Sequence, residues 1–186
     1  AGGAGNDVFN LNGGTATSTG TSLNGGDDND TINLAGTVLL GTVDGGAGAD
    51  RFSFTAGSVL ALVGGADNDV FSLDGGTITS TGTALNGGDG DDVITLDGTS
   101  LTGTVDGAAG NDIISVKTGS VLALAGGTGN DAFNLDGGTV TSTGTSLNGG
   151  DGDDVINLAG TTLSGAVLGG ALSLIHISEP TRLLSI

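Results

Sequence analysis

The sequence has no cysteine, tryptophan, tyrosine or methionine, and it has only one proline, one histidine and three lysine or arginine residues among 186. Without cysteine there is no disulfide framework. There is no run of about 18 apolar residues, so we expect no membrane insertion by this segment. With so few basic side chains, neither nucleic acids nor anionic membrane surfaces are expected as partners. Five phenylalanines are also too little aromatic area for a conventional globular core.

Glycine and aspartate are abundant instead. The chain contains 40 glycines and carries a formal net charge of −18. Its one glutamate is Glu179, so nearly all of the acid is aspartate, which is a turn former and an oxygen ligand rather than a helix former. This composition predicts a turn-dense repeat protein with cations as its natural partners.

Residues 172–186 differ from the preceding chain. They contain no glycine, and they hold the only proline, histidine and glutamate, which are Pro180, His176 and Glu179. The stretch LSLIHISEPTR, from Leu172 to Arg182, resembles a translated sequencing adapter. We therefore predict a repeat region over 1–171 and a non-native, adapter-derived tail over 172–186, and we assign His176 no role. We also expect the repeat region to be a fragment of a larger array.

Internal repetition is the strongest signal in the sequence. Glycine-led turns begin at Gly2, Gly25, Gly45 and Gly64, and the spacings of 23, 20 and 19 residues then recur, which gives a super-repeat of 62 residues. Each turn is followed by apolar residues at two alternating positions, as in a strand with one buried face. The first position holds Phe9, Ile32, Phe52, Phe71, Ile94, Ile114, Phe133 and Ile156, and the second holds Leu11, Leu34, Phe54, Leu73, Leu96, Val116, Leu135 and Leu158.

Apolar residues at every one of these positions argue against disorder. A more Thr- and Val-rich stretch follows in each unit and is typical of a second strand. We therefore predict an all-β fold, a parallel β-solenoid of about eight coils of 19–23 residues. The two sets of apolar residues would stack coil upon coil into one spine, which no coil could bury alone.

Every turn ends in aspartate. The eight residues are Asp7, Asp30, Asp50, Asp69, Asp92, Asp112, Asp131 and Asp154. Stacked coils would place their carboxylates in one file about 4.8 Å apart, where two charges repel by about 1 kcal/mol in water and about 3.5 kcal/mol at an effective dielectric of 20. Ca²⁺ between stacked turns would relieve this repulsion, with turn carbonyls and water completing its oxygen shell. These eight aspartates are the candidate metal ligands, and Ca²⁺ is the candidate cofactor.

A metal-free alternative uses the same residues. Aspartate side chains accept turn N–H groups, and the neighbouring asparagines could form a second file of the same kind. Such a ladder would work as well with asparagine, without the repulsion between charges, and for this reason the sequence favours calcium.

The segments GGAGNDVFNL and GGTGNDAFNL, which begin at Gly2 and Gly126, resemble the haemolysin-type calcium-binding repeat of repeats-in-toxin proteins. The resemblance implies a secreted protein that calcium folds into a parallel β-roll outside the cell. The chain departs from the family in its period. The family repeats about every nine residues and carries calcium turns on both edges, whereas here the turn recurs on one edge only. The longer coil is similar to autotransporter passengers and long bacterial adhesins.

These features favour a structural calcium-binding segment, a spacer, stalk or adhesive passenger of a secreted or surface-displayed bacterial protein. A host-surface or glycan ligand would then bind other parts of the longer protein. Outside the tail there is no histidine, cysteine, tyrosine or glutamate, so we expect no catalytic residues and no enzyme. Two alternatives are an ice- or glycan-binding face, because of the threonine run that begins at Thr15, and a polysaccharide-active solenoid enzyme.

Overall fold

The computed structural model describes residues 1–170, 173–178 and 182–184. All regular structure in these ranges is β-strand, and the strands pair in parallel. The chain winds upward one coil per repeat unit, so the predicted parallel β-solenoid is confirmed. Within the described ranges no helix is long and apolar enough to cross a membrane.

The strands follow one another in a regular order along the chain. They are β1 (Gly3–Ala4), β2 (Val8–Asn12), β3 (Thr15–Ala16), β4 (Thr21–Asp27), β5 (Thr31–Leu39), β6 (Thr42–Ala47), β7 (Arg51–Val59), β8 (Ala61–Ala66), β9 (Val70–Asp74), β10 (Thr77–Ile78), β11 (Thr83–Asp89), β12 (Val93–Leu101), β13 (Thr104–Ala109), β14 (Ile113–Val121), β15 (Ala123–Thr128), β16 (Ala132–Leu135), β17 (Thr139–Asp151), β18 (Val155–Ala159), β19 (Thr162–Leu168), β20 (Leu174–Ser178) and β21 (Arg182–Leu184).

Each coil presents three faces, where the sequence predicted two strands. The first face follows the aspartate turn, as β2 does. The second face begins with β3 and is continued in the next coil by the last residues of β5. The third face leads into the next turn, as β4 and β6 do. Strand β5 runs through both the first and the second face, and its register with β7 shifts between residues 34 and 37.

Register places like residues over like residues. Phe9 lies beside Ile32, Ile32 beside Phe52, and Phe52 beside Phe71. The rings of Phe52 and Phe71 stack with centroids 4.5 Å apart. From the second coil to the eighth, every member of the predicted spine is at most 3% exposed, so the spine is the core of the first face.

Two further inward files, which were not predicted from the sequence, complete the core. On the second face they are Ala16, Leu39, Val59, Ile78, Leu101, Val121, Val140 and Leu163, and on the third face Leu23, Val43, Leu62, Leu85, Val105, Leu124, Leu147 and Val167. The third-face residues lie two positions before the glycines of each turn, as in SLNGG and TVDGG. That spacing was a readable signal.

A ninth coil lies within the predicted tail. Strand β20 pairs with β18, so that Ile175 lies beside Ile156 and Ile177 beside Leu158, at the two spine positions. Strand β21 pairs in the same way with β19. The adapter origin assigned to residues 172–186 stays a prediction, and the remaining residues of that stretch lie outside the described ranges.

Candidate metal centre

The turns owe their shape to positive φ angles at the second and fourth positions, which are glycine in most coils. In the fifth turn these are Gly88 at 120° and Gly90 at 126°. Three other residues take such a position: Asp28 at 71°, Asp67 at 74° and Ala108 at 83°. Aspartate tolerates this left-handed region better than most residues, whereas alanine is strained there. The turn geometry is therefore kept where the glycine pattern is broken.

The first glycine of each turn faces inward at the end of a third-face strand. A Cβ atom built on Gly87 would overlap Oδ2 of Asp92, from the same turn, and would lie 2.6 Å from the carbonyl oxygen of Gly107 in the next coil. The other seven turns show the same overlap between the first glycine and its own aspartate. The carboxylate thus fills the space of the missing side chain, and this position requires glycine.

The eight candidate ligands form one file, one residue per coil. Asp7, in the first coil, is half-buried, and the other seven aspartates are at most 1% exposed. The structure therefore brings each predicted ligand beside its counterparts in the adjacent coils. We call these eight residues the carboxylate file.

One oxygen of each carboxylate joins neighbouring coils. The backbone N–H of Asp30 donates to Oδ1 of Asp50 over 2.7 Å, and that of Asp92 donates to Oδ1 of Asp112 over 2.8 Å. The other five consecutive pairs make the same bond at 2.7 to 2.9 Å. The Oδ1 atoms therefore form the metal-free ladder that the sequence offers as the alternative to calcium.

A second, exposed ladder runs beside the carboxylate file, at the residue before each aspartate. Oδ1 of Asn6 accepts the N–H of Asn29 over 3.2 Å, and Oδ1 of Asn68 accepts that of Asp91 over 2.9 Å. These side chains reach toward the following coil, whereas the Oδ1 atoms of the carboxylate file reach back to the preceding one. Most adjacent turns are therefore held by hydrogen bonds in both directions, and the second ladder is interrupted at Ala49, which has no side-chain acceptor for the fourth coil.

The Oδ2 atoms have different surroundings. In Asp7, Asp30, Asp50, Asp69, Asp92, Asp112 and Asp131, Oδ2 is buried and has no hydrogen-bond partner. We call these seven atoms the free oxygens. The basic residues of the repeat region, Arg51 and Lys117, are exposed. A buried acceptor without a partner costs about 1–3 kcal/mol, and more when it is charged.

Burial disfavours the charged form of these carboxylates. It raises the pKa of Asp69 to about 8 and that of Asp112 to about 7, and the charges of neighbouring aspartates add to the effect. The pKa values of Asp50 and Asp92 rise to about 6, and that of Asp131 is also raised. In each case the N–H bond to Oδ1 opposes the shift. At neutral pH, Asp69 and Asp112 therefore favour either a proton or a nearby cation.

A metal ion would meet one free oxygen per coil rather than a cluster of acids. In the part of the chain that the structure describes, no three histidine, cysteine, aspartate or glutamate residues are grouped to hold an ion. Ca²⁺ takes about six to eight oxygens, so backbone carbonyls and water would supply most of them. The carbonyl oxygen of the first glycine in the next coil lies near the free oxygen, since a Cβ atom built on Gly87 would overlap Oδ2 of Asp92 and lie 2.6 Å from the Gly107 carbonyl oxygen. An all-oxygen donor set fits Ca²⁺ and not Zn²⁺.

Comparison with protein-family models, with curated proteins and with solved structures found no match to this chain. The fold and the turns themselves define its class. The chain is a repeat-built parallel β-solenoid with a buried file of aspartates along one edge.

Proposed function

We propose that this chain is a calcium-stabilised structural segment, a spacer or adhesive stalk, of a secreted or surface-displayed bacterial protein. The proposal is carried by the seven free oxygens, which are buried, aligned and without hydrogen-bond donors. A cation beside them would supply the missing positive charge, and it would leave the N–H bonds to Oδ1 in place.

Electrostatics supports the same conclusion. Neighbouring carboxylates about one coil spacing apart repel, and the repulsion recurs along the whole file. The net charge of −18 adds a general attraction for cations. Calcium outside cells is abundant enough to fill even weak sites, with dissociation constants of about 10⁻⁴–10⁻³ M. Export would therefore couple folding to the extracellular medium.

The mechanical part of the proposal follows from the fold. The eight coils of the repeat region, at about 4.8 Å each, give a rod of roughly 38 Å, which the ninth coil extends, and further coils would lengthen it without a new kind of contact. A partner such as a host surface or a glycan would be bound by other parts of a longer protein. In this proposal the segment holds no catalytic residue, and the turn aspartates act as ligands.

Circular dichroism of the full chain tests the calcium proposal. In EDTA we expect mostly coil signal, and millimolar Ca²⁺ should produce β signal, because metal binding and folding are one equilibrium. Titration with Mg²⁺ at the same ionic strength is the control for charge screening and should have a much weaker effect. A full β signal in EDTA that Ca²⁺ does not change would contradict the proposal.

A second candidate function rests on the outer surface of the second face. The outward residues there stack in register as Thr15, Val38, Ser58, Thr77, Ser100, Ser120, Thr139 and Thr162. This hydroxyl-rich file is more continuous than the threonine runs alone, and it favours an ice- or glycan-binding face. Thermal hysteresis and glycan-array binding of the calcium-loaded chain test it, and absence of both would remove this candidate.

A further inference from the structure

The eighth turn differs from the other seven because the Oδ2 atom of its aspartate, Asp154, has a hydrogen-bond partner. Oδ2 of Asp154 accepts a hydrogen bond from the hydroxyl of Ser173 over 3.3 Å. The same hydroxyl also donates to the carbonyl oxygen of Gly169, so the two acceptors share its single proton. In this turn a donor group therefore lies beside both the carboxylate oxygen and the first glycine carbonyl of the next coil.

Ser173 stands in the ninth coil where the other coils have aspartate. Leu174 lies beside Val155, so the residue before Leu174 is the counterpart of Asp154. The backbone confirms the equivalence, because Leu174 N–H donates to the Asp154 carbonyl over 2.7 Å, as Val155 N–H donates to the Asp131 carbonyl over 2.8 Å. A Cβ atom built on Gly149 would also overlap both Oδ2 of Asp154 and the Gly169 carbonyl, as in the preceding turns.

The chemistry of this position explains the difference. An ionised aspartate carries acceptors only, so it has no proton to give to the free oxygen of the coil before it. Its Oδ1 is already occupied by the N–H of that coil, as Oδ1 of Asp154 is by Asp131 over 2.9 Å. Serine brings a hydroxyl proton to the same place. Oδ2 therefore has no donor where the next coil has aspartate at this position, and it gains a donor where the next coil has Ser173.

We propose that Ser173 closes the carboxylate file, and that its hydroxyl replaces a cation at Asp154. This inference rests on the proposed calcium function and refines it. Calcium sites are built on the seven free oxygens, and Asp154 serves the ladder through Oδ1 without binding metal. The residue one coil beyond each aspartate decides whether that aspartate takes a cation.

Counting bound calcium tests the inference, by equilibrium dialysis of the full chain against CaCl₂ at fixed ionic strength. The wild-type chain should bind seven ions, one for each free oxygen. Ser173→Ala removes the donor, leaves Oδ2 of Asp154 free and should add one ion. Ser100→Ala, which removes a hydroxyl from the outward file of the second face, is the matched control and should leave the count unchanged.

A second pair of variants covers the case in which Ser173→Ala does not fold, as judged by its β signal. Asp154→Asn should keep the wild-type count, whereas Asp92→Asn should lower it. An unchanged count in folded Ser173→Ala, or a lower count in Asp154→Asn, would overturn the role of Ser173. A wild-type chain that binds no calcium would instead overturn the proposed function itself, so the two failures are distinguishable.

Discussion

The backbone N–H of Asp69 donates a 2.7 Å hydrogen bond to Oδ1 of Asp92, which lies one coil further along the solenoid. The other oxygen of Asp92, Oδ2, is buried and has no hydrogen-bond partner. One carboxylate therefore serves two purposes: Oδ1 joins coils without metal, and Oδ2 is left for a positive charge. The metal-free ladder and the calcium site are alternative explanations at the level of sequence, but they concern different oxygen atoms of the same carboxylate.

Replacing Asp92 with asparagine separates these two purposes. Asp92→Asn keeps an acceptor for the N–H of Asp69, and it puts an amide donor near the Gly107 carbonyl in place of the free oxygen. Without calcium the variant should be as stable as the wild type or more stable, by up to about 1–3 kcal/mol, because a buried unpaired acceptor is removed. With saturating calcium it should gain less stability than the wild type. Denaturant unfolding in EDTA and in CaCl₂ measures both effects.

Asp91→Asn is the control for this prediction. Asp91 is exposed, and its Oδ1 accepts the N–H of Asn111 over 2.7 Å, so the substitution removes a charge without touching a free oxygen. Its effect should stay within about 0.5 kcal/mol under both conditions. If Asp92→Asn lost the same stability with and without calcium, Asp92 would be a turn cap and not a ligand.

The first glycine of a turn should tolerate no side chain. Gly87→Ala places a methyl group where Oδ2 of Asp92 lies, and the nearby Gly107 carbonyl is backbone that cannot move aside alone. We expect a loss of at least about 1–3 kcal/mol, as for overpacked cores. The matched control is Gly82→Ala, where a Cβ atom meets nothing within 4 Å. Equal unfolding midpoints for the two variants would show that Asp92 does not occupy this space.

The sequence predicts the first face well, because its evidence is local and periodic. Ile94 and Leu96 follow Asp92 at strict alternation, and they are fully buried. The third face was harder to predict, because each of its strands contributes one inward aliphatic residue, such as Leu85, before an inward glycine, Gly87. Alternation over so short a stretch does not stand out in the sequence, and only the fixed spacing to the first turn glycine marks these residues.

The different roles of Oδ1 and Oδ2 within each carboxylate could not be predicted from the sequence. Coil spacing fixes how far apart the aspartates lie, and from this the file itself could be predicted. Which oxygen meets the N–H of the preceding coil depends on how the turn brings Asp92 under Gly87, and that follows from φ angles at Gly88 and Gly90 rather than from spacing. The proposed role of Ser173 likewise depends on its register with Asp154, in a stretch whose sequence predicts an adapter-derived tail.

Truncating a side chain of the apolar spine should lower the free energy of unfolding even when calcium is bound, whereas the effect of a substitution in the carboxylate file depends on calcium. Ile94→Ala removes fully buried volume between Phe71 and Ile114 and should cost about 2–5 kcal/mol in calcium-saturated protein. Ile113→Ala, the control, truncates a neighbouring side chain that is 42% exposed and should cost well under half as much. Chemical denaturation gives both values. Similar losses for the two variants would mean that residue 94 does not face the core.

Acid should partly replace calcium. Burial raises the pKa of Asp69 from 3.8 to about 8 in the folded chain, so between these pH values the folded state binds more protons than the unfolded state. Stability then falls as pH rises through this window and increases as pH falls, because the state that binds more protons gains from added acid. Asp112, with a pKa of about 7, and Asp50 and Asp92, at about 6, act in the same direction.

The resulting prediction is that the calcium-free chain gains β structure on acidification. Circular dichroism in EDTA, followed from pH 8 to pH 5, should show the β signal increasing, and denaturant midpoints should rise in parallel. The pH range ends above the sequence pI of about 4.1, where loss of net charge would favour aggregation. Asp69→Asn removes the group with the most strongly raised pKa, so this variant should show a shallower pH dependence and more β signal at pH 8. If the wild-type chain lost β signal toward pH 5 in EDTA, the buried carboxylates would be stabilised as anions, and a proton could not replace the cation beside the free oxygens.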